Sequence, residues 1–234
     1  WLCRAGGRSA KNKGEEDRRQ RPMWIRDRYE ALKLSIHNRF VMIQGPPGTG
    51  KTRVAVAMCL VHRGMHNTVV TAATHKAVDH LLKQLKEKTD IFMDQTCNYD
   101  PSYHDVHCFG RTGKLEDMDE DVQLHSVLTW MSDLGDGPNQ HRKQMQQVLR
   151  ENFMINAGTL TSFSQSSQES IPTLLDAECP YDLILVEEAA QATEPATYGP
   201  MSFCQRGGSF VMIGDHLQLP AFVASKAARN KGFR

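Results

Sequence analysis

RFVMIQGPPGTGKT, Arg39–Thr52, is the stretch on which the fold turns. An apolar run of strand length, Arg39–Gln44, leads into a glycine-rich turn, and the residues after Gly50 begin a segment of helical character reaching Arg63. Within it Gly45-Pro46-Pro47-Gly48-Thr49-Gly50-Lys51-Thr52 fits G-x-x-x-x-G-K-[ST] in the strand-then-helix setting that pattern requires. Glycines let backbone N–H groups wrap phosphates, and the helix N-terminus adds positive potential. Lys51 can reach β and γ phosphates, and Thr52 can ligate Mg²⁺. The loop alone predicts nucleotide binding, with ATP and Mg²⁺ as cofactors, and is silent on what the nucleotide drives.

Working outward, a helix is expected over WIRDRYEALKLSI (Trp24–Ile36), a buried strand over Thr68–Ala73 and a second helix over His75–Lys88. Later apolar runs at Val106–Phe109, Phe153–Ala157, Tyr181–Val186 and Ser209–Ile213 have strand length. Alternating strands and helices predict an α/β fold with a parallel sheet covered by helices on both faces. Leu115–Gly137 holds seven acidic and no basic side chains, and a Gln-rich helix is expected over His141–Glu151. Residues 94–150 therefore read as an insertion at the sheet's edge.

Composition narrows the class. A chain of 234 residues with 40% hydrophobic content can bury one core. No apolar run approaches the ~18 residues of a membrane span, and the opening has no signal-peptide character, so a soluble, intracellular protein with no membrane partner is expected. The net charge of +1 conceals seven Lys/Arg against three Asp/Glu in residues 1–21, leaving 21 basic and 24 acidic beyond them. That opening, residues 1–22, is polar and begins at Trp1, and reads as a disordered or artefactual basic segment, the folded domain running 23–234. Six scattered cysteines form no C-x-x-C pair. Cys97, His104, His107 and Cys108 match no common zinc spacing, and adjacent His107 and Cys108 would point oppositely in a strand.

The second chemical signal is Tyr181–Val186 running straight into Glu187-Glu188. Two carboxylates at the carboxyl end of a buried strand can meet the phosphate loop. Glu187 suits the magnesium shell, and Glu188 suits proton acceptance from the attacking water. A solvated acidic helix start would also favour glutamate there.

Four segments together resemble the superfamily 1B helicases, the group of the nonsense-mediated-decay helicase and the Okazaki-fragment helicase-nuclease. IQGPPGTGKT (Ile43–Thr52) is similar to their motif I, ATHKAVD (Ala73–Asp79) to motif Ia, VEEAAQ (Val186–Gln191) to motif II and GDHLQLPAFV (Gly214–Val223) to motif III. The resemblance spans Met23 to the C-terminus. It implies a first RecA-like domain of the P-loop NTPase fold, the second RecA-like domain being absent from this chain, and 5′-to-3′ movement on single-stranded DNA or RNA. A fragment of this kind, without the arginines of a second domain, is expected to hydrolyse ATP weakly. The resemblance further implies that Gln218 senses the γ phosphate, and an amide there can also bond a neighbouring loop.

In motif Ia, Thr74, His75 and Lys76 follow a strand and open a helix, where hydroxyl, imidazole, ammonium and backbone N–H can face a phosphodiester. Taken alone, Thr74 also reads as a helix N-cap and Lys76 as a solvated charge. GTLTSF (Gly158–Phe163) resembles the family's threonine-rich segment, which marks Thr159 and Thr161 as further strand contacts. Two departures stand out. The family's Asp-Glu in motif II is Glu187-Glu188 here, and the position seventeen before Gly45, where the family places an adenine-reading glutamine, is Arg28. A nucleotide-binding regulatory module with little or no turnover therefore stands beside the motor as an alternative.

Overall fold

The computed structural model describes residues 26–62, 67–95, 109–127, 129, 155–163 and 181–232. In order these form α1 (residues 26–37), β1 (Phe40–Gln44), α2 (Lys51–His62), β2 (Thr68–Ala72), α3 (His75–Gln95), β3 (Gly110–Arg111), α4 (Glu120–Gln123), β4 (Ile155–Thr159), β5 (Tyr181–Glu187), α5 (Glu194–Met201), β6 (Cys204–Gly214) and α6 (Lys226–Asn230). The basic opening, the Cys97–Cys108 group and the helix expected over 141–151 lie outside the described residues.

The sheet has six strands in the order β1-β6-β5-β2-β4-β3, every pairing parallel. Parallel strands are buried on both faces, and β2 and β4 show it, with every residue of each buried. Helices cover both faces, as expected. On one, α2 and α3 pack Val54, Met58, Val78, Leu81, Leu82 and Leu85 against Val70, Leu183, Leu185 and Val211. The α3 residues recur at i, i+3, i+4 and i+7, the stripe of an amphipathic helix, and each buried leucine contributes about 1.5–3 kcal/mol. On the other face a 3₁₀ turn, Leu160–Phe163, and Ala196 of α5 pack on Val69, Ile184, Val186 and Phe210. This is the RecA-like α/β arrangement of the P-loop NTPases.

Several boundaries move from the sequence expectation. Of the strand expected at Val106–Phe109, residues 106–108 lie outside the described residues, and the described β3 is Gly110–Arg111, held by pairing with Asn156 and Ala157. β4 ends at Thr159 rather than Ala157, because its pairing with β2 continues to Ala72. β6 begins at Cys204, five residues early, through two glycines. At Gly208 a Cβ would stand 2.9 Å from the Asp182 carbonyl, so only glycine lets the strand lie this close to β5. α3 continues to Gln95, since no Gly or Pro stops it at Lys88.

Because all strands are parallel, their carboxyl ends share one edge. Gln44 pairs with Gly214, and Ala72 pairs with both Glu187 and Thr159. That edge holds the candidate site.

Candidate functional site

The loop after β1 turns on Gly48 and Gly50, with φ of 78° and 86°, values that L side chains rarely adopt. Gly45 N–H donates to the Gly214 carbonyl at 3.2 Å, tying the loop to the end of β6. Thr49 N–H and Oγ1 both donate to the Pro46 carbonyl, at 3.4 and 2.8 Å. Lys51, the first residue of α2, folds its Nζ back onto the carbonyls of Gly45 and Pro46, at 2.7 and 3.2 Å. Its ammonium thus lies over the mouth of the loop, within reach of any phosphate held there.

Thr52 Oγ1 donates to Glu187 Oε1 at 2.8 Å, joining the α2 start to the end of β5. Glu187 is buried, and its second oxygen, Oε2, has no hydrogen-bond partner among the described residues. Burial raises its carboxyl from 4.5 to about 7; the Thr52 hydrogen bond opposes this, the Glu188 charge adds to it, and Lys51 opposes it. A buried carboxylate with one open oxygen beside a threonine hydroxyl is the donor set a Mg²⁺ ion shares with nucleotide phosphates, so these residues fit the implied ion. Cys59, behind it in α2, is driven up to about 12, by burial first and then by Glu187, and stays a neutral thiol.

Glu188 has φ 51° and ψ 40°, the left-handed region, where a side chain other than Gly or Asn costs about 1–2 kcal/mol. This turn takes the chain out of β5 and leaves the Glu188 carboxylate half-buried, with Gln191 Nε2 donating to its Oε2 at 3.0 Å. Gln191 joins the candidate site through this bond, a place the sequence, which shows it only within motif II, did not give it. Its signal is the spacing of three residues, which one 3₁₀ turn, Ala189–Gln191, folds back onto Glu188.

Arg28 on α1 is the second such residue. Its Nη2 donates to the Thr49 carbonyl at 3.0 Å, and a Cβ on Gly50 would lie 2.7 Å from that nitrogen. The arginine at the glutamine position therefore braces the phosphate loop.

Gln218 lies on the exposed turn after β6, its Nε2 donating to Asp215 Oδ2 at 3.2 Å. Asp215 is buried and also accepts from Leu217 N–H. His216 contacts Gln44 at the end of β1, a second tie between the β1 and β6 ends.

The remaining candidates sit on the β2-β4-β3 half of the same edge. Thr74 Oγ1 accepts from Ala77 N–H at 3.2 Å, so it caps α3, and its own O–H stays available to donate. Lys76 is exposed, and His75 is half-buried with Nδ1 3.1 Å from Arg111 Nη2. Thr159 is buried, its hydroxyl bonded to those of Thr161 and Ser162 at 2.9 Å. Of the pair only Thr161 is exposed, so Thr159 acts as its support. Among the described residues, no helix is long and apolar enough to cross a membrane.

A phosphate loop, a hydroxyl-bonded buried glutamate and a following left-handed glutamate on one sheet edge define a P-loop NTPase. The chain belongs to the AAA domain family, whose model matches residues 20–127 and 111–226. Over most of its length the chain is similar to helicases of the Dna2 and Upf1 type. The DNA replication ATP-dependent helicase/nuclease DNA2 of Xenopus laevis is 26% identical over 87% of this chain and 16% of its own length. The helicase/nuclease JHS1 of Arabidopsis thaliana is 28% identical over 88% and 13%. Regulator of nonsense transcripts 1 of Caenorhabditis elegans is 26% identical over 85% and 19%. The chain thus spans less than a fifth of the length of these relatives. Among solved structures, the UvsW helicase of bacteriophage T4 is matched with TM-score 0.48 at 11% identity, over 80% of this chain and 51% of that one.

Proposed function

We propose that this domain binds Mg²⁺-ATP and that the whole protein couples its hydrolysis to 5′-to-3′ movement on single-stranded DNA or RNA. The observation that carries this reading is the Thr52–Glu187 contact at 2.8 Å beside Lys51, which joins motifs I and II. Lys51 would leave its loop carbonyls for the β and γ phosphates, while the N–H groups of Gly48 to Thr52 would line the phosphate chain. Thr52 Oγ1 and Glu187 would hold Mg²⁺, which when bound neutralises developing phosphate charge. Glu188, oriented by Gln191, would accept the proton of the attacking water. Gln218 would report on the γ phosphate across the Gly45–Gly214 tie.

The polymer would lie along the β2-β4-β3 half of the edge, against Thr74, His75, Lys76 and Thr161, with Thr159 behind. The names of its relatives support either polymer, one group being replication helicase/nucleases and another a regulator of nonsense transcripts. A second RecA-like domain of the same protein would complete the pocket. Nucleotide-binding measurements on Lys51→Ala and polymer-binding measurements on Lys76→Ala separate the two halves. The reading predicts loss of nucleotide in the first alone and of polymer in the second alone.

One observation favours the alternative of a nucleotide-binding regulatory module with little turnover. The buried Glu187 carboxyl, raised to about 7, is half protonated near neutrality and in that form is a poor metal ligand. Tight ATP binding with no measurable hydrolysis at pH 8, where Glu187 is ionised, would select that reading.

A further inference from the structure

Among the described residues Arg111 is the largest fully buried side chain, yet it lies in a two-residue edge strand where an arginine would ordinarily reach solvent. Arginine cannot shed its charge, so full burial requires every limb of the guanidinium to be answered. Nε donates to Asp79 Oδ1 at 2.8 Å, with both side chains essentially inaccessible. Nη1 donates to the Thr112 carbonyl. Nη2 meets His75 Nδ1 at 3.1 Å. Asp79 is fixed in turn, its Oδ2 accepting from Asp119 N–H at 3.0 Å.

The third limb has a chemical consequence. A guanidinium only donates, so His75 Nδ1 must accept, and a neutral imidazole whose Nδ1 accepts carries its hydrogen on Nε2. Nε2 lies on the far side of the ring from buried Arg111, on a half-buried side chain between exposed Thr74 and Lys76. The Asp79 bond ties β3 to α3, and the bond to His75, the first residue of α3, is a second tie between them that also sets the ring.

We propose that Arg111, clamped by Asp79, is a positioning residue that locks His75 in the Nε2–H tautomer and presents that N–H as a directed donor to a nucleic-acid phosphate. The tautomer lock stands on the geometry, and its use rests on the nucleic-acid reading of the α3 start given above. Lysine at 111 would keep the charge but could not meet Asp79, the Thr112 carbonyl and His75 together.

The test has two arms on the same chain. In the first, ¹⁵N-histidine labelling reads the ring nitrogens above neutral pH, with His75→Gln assigning the signals. The expected result is a bare Nδ1 and protonated Nε2 at His75 in the wild type, and a mixture of tautomers in Arg111→Lys. In the second, binding of a fluorescent single-stranded oligonucleotide is compared at one salt concentration. Arg111→Lys should weaken it about five- to thirtyfold, the loss of one charge-assisted hydrogen bond, His75→Ala should weaken it as much, and the double variant no further.

A protonated Nδ1 in the wild type, or a tautomer unmoved in Arg111→Lys, overturns the lock. Additive losses in the double variant overturn the coupling. A confirmed lock with unchanged binding in His75→Ala would remove the nucleic-acid reading of His75 instead. Should Arg111→Lys lack a cooperative unfolding transition, the wild-type tautomer and His75→Ala binding decide alone.

Discussion

Three side chains concentrate the chemistry, and each makes a separate prediction. Among the described residues the Lys51 ammonium hydrogen-bonds to its own loop, through Gly45 and Pro46, so its removal should leave the fold intact. Lys51→Ala should weaken nucleotide binding about 10- to 100-fold, the loss of charge-assisted contacts to phosphate, as read by titration calorimetry. Glu188→Gln keeps shape and hydrogen-bonding capacity but cannot accept a proton at neutral pH. It should hold Mg²⁺-ATP as tightly as wild type while hydrolysis falls about 10²–10⁴-fold. Equal falls in binding and rate would move Glu188 from general base to ligand.

Glu187 gives the pH dependence. Its folded carboxyl, at about 7, lies above the unfolded value of 4.5, so the folded state holds its proton more tightly. That stabilisation is complete below about 4.5 and is lost as pH rises through about 7, on the order of 3 kcal/mol at most by linkage. Urea unfolding of the nucleotide-free chain should therefore show stability falling between pH 5 and 8, with Glu187→Gln flattening the profile. Mg²⁺ with nucleotide favours the carboxylate and should offset the fall. A profile identical in wild type and Glu187→Gln would show the carboxyl to be ionised already.

At the scale of elements, the two acidic and amide-bearing loops are pressed together at Gly214. A Cβ there would lie 3.0 Å from Ala190 N and 3.2 Å from Ala189 N, backbone atoms that cannot swing aside. Gly214→Ala should cost about 1–3 kcal/mol in urea unfolding and lower hydrolysis through the displaced Glu188 turn. Loss of neither would mean that the loops part freely.

Much of this layer was legible. Strand-length apolar runs located β1, β2 and β5, and helical spacing the start of α3, because hydrophobic spacing is what buries them; α2 was placed by following the phosphate loop. The ends were not legible, because partners set them. β4 runs on to Thr159 through pairing with Ala72, and β6 begins at Cys204 because Gly208 fits against Asp182. In the site, the phosphate loop and paired glutamates could be read from local pattern alone. Gln191 and Arg28 could not, since their roles depend on a 3₁₀ turn and on α1 reaching the loop. Burial of Arg111 was equally hidden, since it exists only through Asp79, thirty-two residues away in sequence.

For the whole molecule, the strand order sorts function along one edge. The ends of β1, β6 and β5 carry the proposed nucleotide residues, while those of β2, β4 and β3 carry Thr74, His75, Thr159 and Arg111. Ala72 is the hinge of this division, paired to Glu187 on one side and Thr159 on the other. Glu187, the proposed Mg²⁺ ligand, therefore lies one strand from the proposed polymer track. Neighbouring strands in a packed sheet move together, which gives nucleotide state a short route to the polymer. The direct measurement is ATP hydrolysis by the full-length protein with and without single-stranded DNA or RNA, at one salt concentration, beside Lys51→Ala and Glu188→Gln. The account predicts hydrolysis stimulated by at least one polymer and lost in both variants; hydrolysis indifferent to both polymers would contradict it.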